Sequence, residues 1–431
     1  MKLTTAQLWK RGAFTAIAGA SAIALTACGG GGSSAGSDSL SLFVNVENTE
    51  VPAVLETLAG DLCAAEAETL PVDVETVPQS NLDQQLQLKA GQGDLPVLFS
   101  AGNAPALTKT LADSGNVADF EEVLTDLDVI DNIEPAAIST IENLYGGFRA
   151  LPFEYNVEGI WYNKAIFAEQ GIEEPQTFDE LVAAADKLDA AGIQPFSASG
   201  EQGWPITRLI SSYIFRDLGP DALQKVADGE ASLTDPEYVE AAQAIADLGA
   251  KGYFGKGVGS IDMATSENQF LNGSAAMFYM GSWFLSQAND PEVNQIGAEN
   301  VGFMPFPGVD GGAGDRSQLA ANVGLPITMN AKAVNDDTGA WLSCITENYG
   351  STALEQENRV SGFALNTEVA DVPELTQLIQ DQVAETETTV LWFEALFSAE
   401  ATTTSQRNAA PLVSGSVSAE EFMSMVQADL D

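Results

Sequence analysis

The chain has 431 residues, enough for two domains, and carries 17 Lys and Arg against 62 Asp and Glu, a formal net charge of −45. A field of this sign repels nucleic acid and anionic lipid, so we expect no nucleic-acid partner. Histidine is absent, which excludes His-based acid–base catalysis, Ser-His and Cys-His nucleophiles and most zinc or copper sites. No phosphate-cradling glycine motif occurs either, so neither a cofactor nor a metal ion is expected.

The N-terminus is organised as an export signal. Two lysines and an arginine precede an apolar run over residues 12–25 that is short for a membrane span. Small residues then lead into Cys28, a pattern that resembles the lipobox of bacterial lipoproteins, in which the cysteine carries diacylglycerol. We therefore expect a signal peptide at 1–27, lipidation at Cys28 and a flexible tether at 28–39. The alternative is an ordinary signal with an incidental cysteine.

The first part of the body alternates strands with helices, the order that builds a parallel sheet. Ligands of such sheets collect at the carboxyl ends of the strands. This places Glu47, Asn48 and Asn103 on one rim. The predicted elements are strands at 40–46, 72–77 and 97–100 and helices at 52–67 and 82–90.

Residues 151–171 predict an extended segment that runs into a helix. Pro152 disfavours helix at the residue before it, and the run 157–162 is rich in β-formers. Asn163 is a plausible N-cap, and Gly171 ends the short helix. We expect the start of this segment to leave a hinge and to line a ligand cleft.

The second half of the body continues the alternation. Thr177 and Glu180 predict a capping box, and a loop that carries Glu201 and Trp204 follows the next strand. A turn at 281–282 presents Trp283. The remaining predicted elements are strands at 195–200, 275–280, 301–307 and 319–329, helices at 206–215, 238–248 and 337–349, an extended connector at 362–366, and a helical tail with Trp392 and Phe393 near its middle.

Aromatic faces beside amides and carboxylates favour a carbohydrate ligand. Sugar C–H faces stack on indole rings, and hydroxyls bond to charged or amide acceptors. A phosphate or carboxylate ligand would instead need the scarce Lys and Arg. Core packing is the competing role for each Trp, above all for Trp392. The predicted ligand-binding residues are Glu47, Asn48, Asn103, Tyr155, Asn156, Glu201, Trp204, Trp283, Asn322 and Trp392.

Two cysteines remain in the body, Cys63 and Cys344. An exported protein occupies an environment in which disulfides persist. One disulfide between these residues and two buried free thiols are both compatible with the sequence.

A series of motifs in a fixed order resembles family 1 extracellular solute-binding proteins, the sugar-binding components of bacterial ABC importers typified by maltose-binding protein. The resemblance covers essentially the whole mature chain. It rests on Leu151-Pro152, Gly159-Ile-Trp-Tyr-Asn-Lys164, Phe167, Gly171, Pro175-x-Thr-Phe-Asp-Glu-Leu181, Gly192-Ile-x-Pro195, Gly203-Trp204, Phe270-x-x-Gly-x-Ala-Ala-Met277, Gly281-Ser-Trp283 and Gly302-Phe-Met-Pro-Phe-Pro307.

The resemblance implies an α/β periplasmic-binding-protein-like fold of two lobes, joined by a three-crossing hinge near residues 147–151, 309–318 and 360–366. Lobe 1 would comprise residues 40–149 and 313–362, and lobe 2 residues 150–312 and 363–431. It implies a monomeric receptor without catalytic activity, lipid-anchored at the extracellular face of a Gram-positive cell membrane, that passes an oligosaccharide to the permease subunits of an ABC importer. The alternatives are a receptor for another polar solute and a carboxylate-based glycoside hydrolase.

The resemblance also assigns roles to particular residues. Glu47 and Asn48 match a loop with polar sugar contacts, Asn156 stands where a sugar-binding carboxylate can stand, and Trp283 and Trp392 match stacking aromatics. Two departures weaken the grip expected of lobe 1. Val97 replaces the usual Asp after Gly-Asp-x-Pro, and the loop 100–104 carries neither a carboxylate nor a Trp.

Overall fold

The structure is a computed structural model that describes residues 38–46, 48–78, 81–101, 105–324 and 326–430. The predicted signal peptide, Cys28, most of the tether, Glu47 and Asn103 lie outside the described residues. Within these ranges, none of the helices is both long and apolar enough to span a bilayer. Strands and helices alternate along the body, as the sequence predicts.

The strands of the described ranges are β1 Leu40–Asn45, β2 Val72–Val77, β3 Leu98–Ser100, β4 Asn156–Asn163, β5 Gln194–Ser197, β6 Ala275–Gly281, β7 Val301–Met304, β8 Leu319–Asn322, β9 Ile327–Met329 and β10 Thr389–Val390. The helices are α1 Glu50–Gly60, α2 Ala64–Thr69, α3 Leu82–Gln92, α4 Pro105–Asp113, α5 Phe120–Asp126, α6 Pro135–Tyr145, α7 Lys164–Glu169, α8 Phe178–Ala190, α9 Trp204–Leu218, α10 Ala222–Ala227, α11 Pro236–Ala250, α12 Met263–Leu271, α13 Leu285–Asn289, α14 Asp336–Glu357, α15 Glu374–Ala384, α16 Ala399–Val413 and α17 Ala419–Ala428.

The first sheet has the strand order β2-β1-β3-β9. Strand β1 pairs in parallel with both β2 and β3, which confirms the parallel arrangement predicted from the strand–helix alternation. Strand β9 is added antiparallel to β3. Strand β1 is covered on both faces. Leu42 and Val44 join one hydrophobic cluster, and Phe43 joins another.

The second sheet has the order β10-β8-β4-β6-β5, with β7 also paired to β4. The central strand β4 alternates its side chains between the two faces. Val157 and Trp161 pack into the cluster that also contains the first sheet, whereas Ile160 packs into the cluster under α9 and α11. The residues just before the start of β4 therefore lie between the two sheets.

The chain passes between the sheets three times. Leu151 forms a bridge with Ile327 at the edge of the first sheet, and β4 begins five residues later, at Asn156. The third passage runs alongside the first, because Tyr155 N–H donates to Val360 O at 3.1 Å and Gly362 N–H donates to Pro152 O at 2.9 Å.

The strand predicted at 319–329 is wrong in one respect. It is two strands in different sheets, since β8 pairs with β4 and β9 pairs with β3. Gly324 lies between them with φ +58°, and a Cβ there would stand 2.4 Å from Glu154 Oε2. A left-handed turn without a side chain thus ends one strand and starts the next. Residues 319–322 consequently belong with the second sheet, and the second crossing follows β8 and does not lie at 309–318. The other lobe boundaries stay predictions.

Local predictions around the second sheet have mixed outcomes. Thr177 and Glu180 form the predicted capping box at the start of α8, and Asn163 Oδ1 accepts from Ile166 N–H to cap α7. The helix predicted around Trp392 is wrong. Residues 391–398 are not helical, and Phe393 within them packs into the cluster that also contains residues of α9.

A disulfide joins Cys63, between α1 and α2, to Cys344 in α14, with an S–S distance of 2.06 Å and a Cα–Cα distance of 5.9 Å. Helix α1 packs directly on α14. The bond therefore links two helices that already share a hydrophobic interface.

Candidate functional site

Helix α9 begins at Trp204 because of the glycine before it. Gly203 has φ +75°, and a Cβ there would lie 1.9 Å from Gln406 O, so only glycine fits. Arg208 follows one turn later on the same face of the helix. Its Cζ lies 4.5 Å from the centroid of the Trp204 ring, within cation–π range.

Trp283 comes from a different part of the chain, the single turn Ser282–Phe284 after β6. Its indole folds back over Gly281, where a Cβ would stand 2.0 Å from the ring. The ring meets Trp204 edge-on, with centroids 5.8 Å apart and an interplanar angle of 62°. Because Gly281 has no side chain, the Trp283 ring can approach the Trp204 ring.

The three tryptophans predicted as ligand contacts converge on Arg208. The Arg208 Cζ lies 5.8 Å from the Trp283 centroid and 5.6 Å from that of Trp392, in addition to its contact with Trp204. All three rings are partly exposed. We call Trp204, Trp283, Trp392 and Arg208 the tryptophan cluster. Sequence reasoning missed Arg208, although its position four residues after Trp204 in an amphipathic helix was a usable signal.

A buried carboxylate holds the arginine. Arg208 Nη1 lies 2.6 Å from Glu158 Oε1, and the Glu158 side chain has no exposed surface. Asn322 Nδ2 donates to the same oxygen at 2.9 Å. Glu158 is the one carboxylate of the largely buried strand β4, and a lone carboxylate in a buried strand is the signal by which it could have been predicted.

Asn156 extends the polar contacts from the tryptophan cluster to the first sheet. Its Nδ2 donates to Asn322 Oδ1 at 3.4 Å and to Glu154 Oε1 at 3.0 Å. Arg359 Nη1 lies 3.3 Å from Glu154 Oε1, and its Nη2 lies 2.6 Å from Glu50 Oε1 at the start of α1. A continuous chain of ion pairs and hydrogen bonds therefore runs from α9 to α1, across the segments that join the two sheets.

Ser282 ties the turn of Trp283 into this polar chain. Its Oγ donates to Asn156 Oδ1 at 3.2 Å, and Val157 N–H donates to Ser282 Oγ, also at 3.2 Å. Asn156, Ser282, Trp283 and Arg359 line one small cavity. The predicted residues Asn156, Asn322 and Trp283 are thus brought to one site.

A second buried carboxylate lies next to Trp392. Glu394 Oε1 contacts the hydroxyl of Thr207, the residue before Arg208, and the Ser405 hydroxyl at 3.2 Å. Burial raises the pKa of Glu394, and the nearby Arg208 charge opposes this rise. The loop that presents Trp392 is therefore anchored to α9 and α16 by a single carboxyl group.

The structure does not support Tyr155 as a ligand contact. Its side chain is fully buried, and its hydroxyl lies 3.1 Å from the Thr140 hydroxyl. Burial raises its pKa above the ordinary range for tyrosine. Pairing of its backbone with Val360 turns the ring into the core, so Tyr155 belongs to the scaffold of the hinge.

Two other predicted residues, Glu201 and Asn48, lie in loops. Glu201 is exposed in the loop before α9, where its backbone N–H donates to Ile261 O. Asn48 Oδ1 accepts from Val51 N–H at 3.3 Å and so caps the start of α1, two residues from Glu50. Asn48 therefore lies near Glu50, which is the end of the series of ion pairs and hydrogen bonds that is nearest the first sheet.

No group of three or more Cys, Asp or Glu side chains in the described ranges is arranged to hold a metal ion. What the site offers is ring faces, amide groups and carboxylates. The chain passes three times between the two sheets, and these groups lie between them. This arrangement is that of a protein that binds a small solute.

The chain belongs to the bacterial extracellular solute-binding protein family, whose model matches residues 50–348. It is 26% identical over 266 residues to a probable sugar-binding periplasmic protein of Mesorhizobium japonicum, covering 58% of this chain and 62% of that protein. It is 28% identical over 257 residues to an sn-glycerol-3-phosphate-binding periplasmic protein of Yersinia pestis, covering 54% of each. The chain thus spans less than two thirds of the length of these curated relatives.

Among solved structures, a chitin oligosaccharide binding protein matches with a TM-score of 0.70 and 27% identity, covering 91% of this chain and 98% of that one. The match extends over both sheets, and it confirms the α/β solute-binding fold predicted from the sequence.

Proposed function

We propose that this protein is an extracellular receptor that binds an oligosaccharide and delivers it to the permease of an ABC importer, without transforming it. The observation that carries the proposal is the convergence of Trp204, Trp283 and Trp392 around Arg208. Partly exposed indole faces beside carboxyl and amide groups suit the C–H faces and hydroxyls of a sugar. The relatives with sugar-binding names support the same ligand class.

The energetics of stacking are sufficient for such a ligand. Covering about 100 Å² of one indole is worth about 2.5 kcal/mol at about 25 cal/mol/Å². Two stacked rings and a few charge-assisted hydrogen bonds can offset the cost of association and reach micromolar affinity, about −8 kcal/mol.

We further propose that the receptor is monomeric and is exported and tethered through a lipid on Cys28, with residues 28–39 as spacer. Closure of the two sheets on the sugar would then present a loaded receptor to the membrane partner. Polar contacts from Glu47, Asn48 and Asn103 would complete the grip on the sugar. Mass spectrometry of the membrane-extracted protein tests the anchor, because diacylglycerol on an N-terminal Cys28 has a defined mass.

Isothermal calorimetry with neutral oligosaccharides tests the ligand class. We expect micromolar binding of at least one, and we expect Trp283→Ala to weaken it at least about tenfold, about 1.4 kcal/mol. Trp283→Phe keeps an aromatic face and serves as the matched control, with a smaller loss. Silence of every sugar, or an unchanged isotherm for Trp283→Ala, would contradict the proposal. A reducing-end assay over hours tests the absence of hydrolysis.

A further inference from the structure

Both arginines of the site are already committed to carboxylates of the protein. Arg208 is held at 2.6 Å by Glu158, whose side chain is fully buried. Arg359 lies between Glu50 at 2.6 Å and Glu154 at 3.3 Å. Two positive groups thus face three negative ones, which leaves the polar chain with one formal negative charge. The arginines therefore offer a ligand little uncompensated positive charge.

The amide groups of the site also donate to its own carboxylates. Asn322 Nδ2 donates to Glu158 Oε1 at 2.9 Å, and Asn156 Nδ2 donates to Glu154 Oε1 at 3.0 Å. An ionised carboxylate has about four lone-pair positions. Glu154 and Glu50 keep about a third of their side chains exposed, so their oxygens can accept further hydrogen bonds. The site is therefore rich in acceptors, and both of its amide groups already donate to its carboxylates.

A ligand that fits this pattern has to donate hydrogen bonds. Sugar hydroxyls do so, and an ammonium group does so with favourable charge. A carboxylate, phosphate or sulfate would meet carboxylates of its own sign, and at Arg208 or Arg359 it would compete with the glutamates already paired there. Displacement is most costly at Glu158, because a buried carboxylate separated from its arginine has no water to replace the partner.

We propose that the site selects neutral or amino sugars and rejects sugars that carry an acidic group, with the Glu50–Arg359–Glu154 triad as the determinant of this selection. This inference rests on the proposed function and adds the charge class of the substrate. The rejection is local, because the field of the distant surface charges is screened within about 8 Å at physiological salt.

The test compares sugars that differ only in charge. Calorimetry measures cellotriose, maltotriose and tri-N-acetylchitotriose, the C6-oxidised uronate of each, deacetylated chitotriose and sn-glycerol 3-phosphate. We expect the uronate to bind at least about tenfold more weakly than its neutral parent. A uronate or sn-glycerol 3-phosphate that binds as tightly as the best neutral sugar, or tighter, overturns the inference while leaving a receptor. Silence of every probe removes the proposed function and this inference with it.

A pair of variants assigns the effect to the triad. In the double variant Glu50→Gln and Glu154→Gln, Arg359 loses both carboxylates, and the ratio of uronate to neutral affinity should rise at least about tenfold. The control is Glu174→Gln with Asp221→Asn, which removes two charges from ion pairs with Arg316 and Lys225 elsewhere in the fold. An equal rise in the control would show that total charge, and not the triad, sets the selection, and it would overturn the assignment.

Discussion

Replacing Glu394 with Gln should remove a proton-linked contribution to stability. The Thr207 hydroxyl that contacts Glu394 also lies 3.1 Å from Trp204 O, and the Ser405 hydroxyl also lies 2.8 Å from Thr402 O. Both hydroxyls donate to Glu394 Oε1, so each shares its one hydrogen between a backbone carbonyl and the carboxyl group. These hydrogen bonds favour the ionised carboxyl, and burial of the group opposes them.

The direction of the pH effect follows from the raised pKa of Glu394, which is caused first by burial and is opposed by Arg208. The folded protein holds this proton to higher pH than the unfolded chain, whose carboxyl titrates near 4.5. The contribution of Glu394 to stability is therefore fully present below that pH and is lost as pH rises through the folded pKa. Within that window the loss reaches about 1.4 kcal/mol per pH unit.

Gln preserves the shape and an N–H donor but does not titrate. Urea unfolding from about pH 4 to pH 8 should therefore show the free energy of unfolding of Glu394→Gln gaining on that of the wild type as pH rises. Glu400→Gln, at an exposed glutamate at the start of α16, is the control and should show no such gain. Parallel pH profiles for wild type and Glu394→Gln would contradict the raised pKa of Glu394.

Two further perturbations follow from the packing. Gly281→Ala is compatible with the backbone, whose φ is −87° at this residue, but the new Cβ would displace the Trp283 ring. Sugar affinity measured by calorimetry should therefore fall at least about fivefold. The control is Gly91→Ala, which lies in open space within α3 and should leave sugar affinity unchanged. Reduction of the bond between Cys63 and Cys344, which are 281 residues apart, should lower the free energy of unfolding by about 2–5 kcal/mol. Equal denaturant midpoints with and without reductant would contradict this.

The sequence did not indicate which polar side chains of the site contact one another. Arg208 and Glu158 are 50 residues apart, and Glu158 and Asn322 are 164 apart. A single sequence contains no local rule for such pairs, because they depend on how α9 packs on β4 and how β8 aligns with it. Tyr155 was misassigned for the same reason. An aromatic at a hinge suits a cleft and a core equally well, and only the packing against Thr140 decides between them.

The sequence by itself determined the features that arise from near neighbours along the chain. These are the strand–helix alternation, the capping box at Thr177, and the turns beside Trp204 and Trp283. Tertiary structure alone decided that these rings surround Arg208 and that Gly324 sends residues 319–329 into two sheets. The physical reason is that helix caps and periodicity are set within a few residues, whereas the charge of a binding site is a sum over groups that only folding brings together.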